Sequence, residues 1–530
     1  MFGMKRATTG ALAALTLFAC TDDPATGVAN PATEGATAEV VADGKADNYF
    51  STNGKEYDLR GTDRFALTRL EGETDEAFLA RAAVHAEQRF TALTYFINAY
   101  VTGKSSHDAN YGYGGFRTTI RQRSIRAEDV LMSSEGQFSA LFETEFAGPT
   151  DLATLLGATK VDEGLWRFEV IVPKLTEAEV ADGSFAKKYR DFNGANLPEE
   201  QREKLVIDFE VGQQSVDAYP RYFELMEDGV LDIALIVGGD YNEARWDLKV
   251  AQEVYGKLTT RLKFKAPVAK YEELTLDSGP FTRTLETVYG PIDVKLWMVH
   301  PGMAVDAPQN LVTAFKDHAA QRDIVIYDGH AGYDASYSGV VLTYQPRTAV
   351  SANDFKNMEL PEKNQLFFFN GCKTYSVYPD ALLDHPNKTP ENLDILSTVN
   401  FSWLAEMTTI TSDFLGTLLA VDRFEGLHEP ASWARILSDL NRGRSWDVIY
   451  GVHGADDNPH TSPWSDAVEL CEACRSHADC YGGDALCVNG ACGYGCTADD
   501  GCPADYACSQ VAVSGVITGR QCTPRSRRCQ

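Results

Sequence analysis

Ile324-Val325-Ile326-Tyr327-Asp328-Gly329-His330 and Leu366-Phe367-Phe368-Phe369-Asn370-Gly371-Cys372 are two near-continuous apolar runs, each closing on a glycine and a reactive side chain. A strand with one wet face alternates apolar and polar residues. A run apolar at almost every position belongs to a strand covered on both faces, the habit of parallel sheets. Similar runs stand at 231–237, 294–300 and 393–399, and helical spacing is read at 246–258, 311–320, 403–419 and 431–440. Residues 223–465 are therefore expected to form an α/β domain, a mostly parallel sheet with helices on both faces. Ligands of such sheets gather beyond the carboxyl ends of the strands. If the two quoted strands are neighbours, His330 and Cys372 meet there.

The flanks read differently. Over 57–222, Leu79, Ala83, Ala86, Phe90, Leu93, Ile97 and Tyr100 recur at helical intervals after a Thr74 cap, and 138–142, 166–172 and 205–211 alternate like half-buried strands. This predicts an α+β domain with an antiparallel sheet. The loop Tyr111-Gly112-Tyr113-Gly114-Gly115 is read as a turn-rich surface segment. Residues 466–530 hold Cys471, Cys474, Cys480, Cys487, Cys492, Cys496, Cys502, Cys508, Cys522 and Cys529 among few apolar residues. So small a segment needs covalent staples, and five disulfides are expected rather than zinc. Cys474-x5-Cys480-x6-Cys487 and Cys496-x5-Cys502-x5-Cys508 form a weak internal repeat, which predicts two similar knots in tandem.

At the other end, Lys5 and Arg6 precede a short apolar run that stops at Leu17-Phe18-Ala19-Cys20. Residues 1–19 read as a signal peptide, and their end resembles the lipobox of bacterial lipoproteins, in which Cys20 would be acylated. Residues 20–56, rich in Ala, Thr, Gly, Asp and Pro, read as a disordered tether. The expected location is the bacterial cell envelope, with the chain anchored in a lipid bilayer. Over 530 residues, 48 Lys and Arg against 76 Asp and Glu give a net charge of −28, which repels polyphosphates and excludes nucleic acid as a partner. Gly238-Gly239-Asp240-Tyr241 after the first strand lacks the spaced glycines of a dinucleotide site and puts an acid where phosphate would lie.

A thiol is a strong nucleophile only as thiolate, and an adjacent imidazole can take its proton and return one to the leaving group. Backbone amides at Ala331, Gly332 and Cys372 are the expected oxyanion donors. The order of His330 after one strand and Cys372 after the next, 42 residues later, resembles the caspase-like cysteine peptidases, the clan of caspases, gingipains, legumain and separase. That family usually reads His-Gly and a small residue before Cys. Here the sequence reads His330-Ala331-Gly332 and Gly371-Cys372, and the resemblance covers roughly 225–425. It implies a caspase-like fold and hydrolysis of polypeptides through a thioester acyl-enzyme. Asp334 leans toward an acidic pocket for basic substrates. No metal or other cofactor is required, and calcium in an acidic loop has no supporting motif. With Cys20 assigned to lipid and ten cysteines to the tail, a thiol is expected at Cys372. A papain-like pairing of Cys372 with His453 is disfavoured because Cys372 ends a Phe-rich strand. The rival class is a non-catalytic surface lipoprotein whose cysteine-rich tail binds a ligand, a reading that the Ala331 substitution favours.

Overall fold

The computed structural model describes residues 47–104, 115–116, 130–185, 196–331, 339–423, 425–444, 448–480, 485–513, 516–526 and 529. Cys20, Gly332, Asp334 and most of the Tyr-Gly loop lie outside them. The chain is a mixed α/β protein with several sheets and a C-terminal disulfide-rich region.

The first sheet is antiparallel throughout. Strands β1 (Gly54–Ala66), β2 (Gly115–Phe116), β3 (Val130–Ser134), β4 (Gln137–Pro149), β5 (Thr159–Lys160), β6 (Trp166–Pro173) and β7 (Arg202–Val211) lie in the order β2-β4-β1-β7-β6-β5, with β3 on β4. Helix α1 (Asp75–Lys104) starts where Thr74 Oγ1 accepts the Ala77 N–H at 3.2 Å. Its Phe78, Ala86, Phe90, Leu93 and Ile97 stripe fills the core against Phe138, Phe142, Phe168 and Ile207. Buried Arg89 of α1 forks onto Asp63 of β1 at 2.7 and 2.9 Å. Two short helices, α2 (Leu152–Leu156) and α3 (Glu177–Ala181), complete this domain.

The second sheet contains β8 (Val230–Val237), β9 (Phe281–Thr287), β10 (Gly290–Val299), β11 (Ile324–Asp328), β14 (Gln365–Asn370), β15 (Leu393–Thr398) and β16 (Tyr450–His453), in the order β16-β15-β14-β11-β8-β10-β9. The hairpin β12 (Gly339–Tyr344) and β13 (Arg347–Ser351) stands apart. The inner five strands are parallel, and the edge strands β9 and β16 run antiparallel. Successive residues serve opposite cores: Leu366 and Phe368 face one, Phe367 and Phe369 the other, and the same holds for Ile324, Ile326 against Val325, Tyr327. Both faces are dry, so the sequence runs apolar without alternation. Helices α4 (Tyr222–Leu225), α5 (Trp246–Thr260), α8 (Met407–Leu418) and α9 (Trp433–Asn441) cover the first face, while α6 (Gln309–Gln321) and α7 (Tyr378–Leu383) cover the second. Among the described residues no helix is long and apolar enough to cross a membrane.

The tether expected through residue 56 ends sooner. Gly54, Lys55 and Glu56 belong to β1, and Tyr49 is fully buried over Gly451, where a Cβ would come within 1.9 Å of its ring. Phe50 pairs antiparallel with Val452 and so occupies the open edge of β16. Two aromatic side chains thus give a polar segment enough burial to become ordered.

The tail carries β17 (Leu486–Val488), β18 (Ala491–Gly493), β19 (Tyr506–Val513) and β20 (Val516–Pro524). Its disulfides join Cys474–Cys487 and Cys480–Cys492, then Cys496–Cys508 and Cys502–Cys522. Each quartet pairs first with third and second with fourth, and Cys471–Cys529 ties the two ends of the module together.

Candidate active site at the carboxyl edge of the central sheet

Strands β11 and β14 are parallel neighbours with Asp328 opposite Asn370, so His330 and Cys372 stand two residues past one register position. The turns they occupy touch. Gly329 N–H donates to Asn370 O at 3.1 Å, and a Cβ on Gly371 would lie 2.7 Å from the Ala331 methyl and 2.9 Å from Gly329 O. The glycine before Cys372 is therefore required by close approach. The Tyr327 hydroxyl donates to His330 O and accepts from Val341 N–H at 3.0 Å, which fixes the histidine turn. On the other side, Lys373 adopts a left-handed φ of 55° held by its N–H to Asn400 O at 3.0 Å, and Thr398 donates to Gly371 O. A non-glycine residue in that region, next to Cys372, is backbone strain held in place by its surroundings.

Strand β8, on the far side of β11, contributes a residue that sequence reading had used only to exclude phosphate. The Asp240 carboxylate lies 3.1 Å from His330 Nε2, and it also accepts from Asn242 and from Trp246 N–H at the start of α5. Burial acts to raise this carboxyl, yet the hydrogen bonds from His330 and Asn242 outweigh it and hold Asp240 below the ordinary carboxylate range. With Nε2–H given to Asp240, the lone pair resides on Nδ1, which makes no hydrogen bond among the described residues. Tyr241 lies against the imidazole at 4.8 Å and Tyr344 meets it edge-on at 5.6 Å. The pair bridges the β8/β11 junction, where β8 leads outward to β10 while the later strands add on the other side. Such a reversal is where open α/β sheets form their crevice. The adjacent glycines answer to packing: a Cβ on Gly238 would strike the Tyr327 hydroxyl at 2.6 Å, and one on Gly239 would strike Thr343 Cα at 2.7 Å.

The thiol expected at Cys372 is not present. Cys372 is disulfide-bonded, with its partner outside the described residues, and it is 4 % exposed. Its sulfur lies 3.8 Å from Ser402 O, and it makes no hydrogen bond with His330 in this oxidised form. His453 sits elsewhere. On β16 it pairs with Ile395 of β15, fully buried between the rings of Tyr49 at 5.4 Å and Tyr375 at 5.6 Å, with Glu56 at 3.8 Å. The two cysteine triplets whose sulfurs cluster closely, 474/480/492 and 496/502/522, are taken up by disulfides. Compared with known proteins, the chain matches no family model, no curated protein and no solved structure.

Proposed function

We propose that the chain is an exported, lipid-anchored cysteine endopeptidase of caspase-like kind, with Cys372 as nucleophile, His330 as general acid and base, and Asp240 as the residue that positions His330. The observation that carries the reading is the His330–Asp240 hydrogen bond at the strand ends, one strand over from Cys372. It leaves Nδ1 as the basic nitrogen. In the unacylated chain the disulfide on Cys372 must first be opened by an external thiol, which supplies two electrons. His330 then takes the proton from the sulfur, and the thiolate attacks the peptide carbonyl carbon. The amine leaves with that proton, and water, deprotonated by His330, hydrolyses the thioester and restores the thiol. Amides at Ala331, Gly332 and Cys372 remain the proposed oxyanion donors, and Asp334 a proposed contact for a basic substrate side chain. Acylation of Cys20 would hold the enzyme at a bilayer of the cell envelope and, with the other ten cysteines paired in the tail, would leave Cys372 no cysteine to bridge; the five tail disulfides fit an oxidising compartment. A second reading, a non-catalytic lipoprotein that binds a ligand through its tail, is favoured by the burial and oxidation of Cys372.

The test compares new protein N-termini released from a proteome by the lipid-free chain and by Cys372→Ala, with and without thiol reductant. Termini made only by the reduced, intact chain are expected. Their absence after verified reduction of Cys372 would overturn the peptidase and leave the binding protein. Asp240→Asn should lower kcat about 10²–10⁴-fold and shift the pH profile of kcat/KM, as expected when a histidine loses the group that fixes its tautomer.

A further inference from the structure

Away from that edge, a cleft of about 1100 Å³ opens between the central domain and the cysteine-rich module. It is lined by residues of β9, α8 and α9, the connections after α5 and α8, and the first knot of the tail. Its lining holds six Lys and Arg, at 261, 263, 283, 423, 435 and 442, beside five Asp and Glu, at 413, 422, 425, 429 and 439. Three of the six cations are matched: Arg261 pairs with Asp413 at 2.7 Å, Arg435 with Glu429 at 2.6 Å, and Arg442 with Asp439. Arg283 is the exception that matters. Projecting from β9 on the side of buried Phe281 and Leu285, its half-buried guanidinium donates only to two backbone carbonyls, Leu262 O at 3.3 Å and Leu419 O at 3.4 Å. It has no carboxylate partner among the described residues. Burial alone pushes it below the ordinary arginine range, with no acid nearby to offset it.

A guanidinium has five N–H donors in a planar fork, and burying such a charge without a counter-ion is unfavourable unless something anionic meets it. Lys263 and Arg423, both exposed, line the same cleft and likewise have no ion-pair partner among the described residues. Asp422 accepts the N–H groups of Glu425 and Leu427 within its own loop.

We infer that this cleft is a binding site for an acidic peptide segment, one carboxylate seated in the Arg283 fork and further negative charge along Lys263 and Arg423. The volume is greater than a single oxyanion needs and suits an extended ligand. Its place at the junction with the tail gives the cysteine-rich module a role in shaping the site. The inference is independent of the peptidase reading, since neither His330 nor Cys372 lines the cleft.

Titration calorimetry of the full lipid-free chain, oxidised and at low salt, with a hexaglutamate peptide and separately with inorganic phosphate, tests it. Hexaglutamate is expected to bind, more weakly as salt is raised, and Arg283→Gln to weaken it by about tenfold or more. Arg167→Gln, which removes an exposed arginine paired with Asp208 in the first domain, should leave binding unchanged. Because Arg283 also donates to two backbone carbonyls, the melting temperature of Arg283→Gln is read beside its binding. Should that variant fold poorly, Arg283→Lys keeps the charge, loses the fork and should still bind measurably more weakly. Hexaglutamate that does not bind, equal binding by the Arg283 variants, or phosphate binding as tightly as the peptide would each overturn the inference.

Discussion

The central sheet and the cysteine-rich module each hold a chain in one arrangement, by opposite means. In the sheet, the inner strands β11, β14 and β15 bury every side chain, and Phe367, Phe368 and Phe369 are each wholly enclosed. Area removed from water supplies the stability there, roughly 25 cal/mol per Å² of apolar surface. The module's buried cluster is mostly cystine, with Val468, Ala485 and Tyr494 as the main other members. Its order comes from cross-links that restrict the unfolded chain. Burial leaves strand ends precisely placed, as the Asp240–His330 contact requires. Cross-links tolerate a small core and a variable surface, which suits recognition.

Reduction should separate the two regions most sharply. Each bridge is worth about 2–5 kcal/mol, more than so small a core can replace, so amides between Cys471 and Cys522 should lose hydrogen-exchange protection in reductant while those of β14 keep theirs. The same treatment opens the Cys372 bridge, so retained protection in β14 would mean that the strand does not need it. If the sheet melted together with the module, the two would be one cooperative unit and the contrast would fail. A smaller effect comes from truncating one aromatic residue in each region. Phe368, packed on Phe414 at 4.8 Å, should cost about 3–5 kcal/mol as alanine, whereas Tyr494→Ala in the oxidised module should cost about 1–2 kcal/mol. Equal losses in denaturant titrations would mean that the module is held by burial after all.

The same contrast governs what could be read from the sequence. Strands covered on both faces announce themselves, so β8, β11, β14 and β15 and helices α5 and α6 were legible nearly to the residue, while the short α7 between β14 and β15 was not read. The disulfide module was legible from cysteine density, and the pairing within each knot was not, because spacing alone does not choose among connectivities. Strand β1 escaped notice because its alternation is interrupted by Gly61 and by Asp63, a buried acid neutralised only by Arg89 of α1. The antiparallel edges β9 and β16 lack the dense runs of the inner strands. At the site, the order and spacing of His330 and Cys372 carried the expectation that they lie on neighbouring strands. Asp240 was missed as their companion because its contact spans 90 residues and depends on strand order. The signal available was an acid just past the first parallel strand, at the edge where the histidine would also emerge.

The sheet's enclosure carries one weakness that the module does not share. Asp328, two residues before His330, is completely buried beneath the site, where it accepts from Asn370 Nδ2 at 2.7 Å and from the Thr411 hydroxyl. Burial pushes its carboxyl up to about 7, and these two hydrogen bonds offset only part of that. The folded chain therefore holds this proton more tightly than the unfolded chain, whose carboxyl titrates near 4. Stability from this group is complete below about pH 4 and is lost as pH rises through about 7. His300, His318 and His428, pushed down to about 4 chiefly by burial, act in the opposite direction: their contribution is present above about pH 6.5 and is lost as pH falls through about 4. Asparagine at 328 mimics the protonated acid, with its oxygen accepting from Asn370 and its amide donating to Thr411. Asp328→Asn should therefore raise stability by about 1–3 kcal/mol at pH 8 and by almost nothing at pH 4, leaving the histidine-driven acid loss in place. Urea titrations of both proteins across pH 4–8 would measure this, and curves that stayed parallel over that range would mean that Asp328 is charged in the folded sheet at neutral pH.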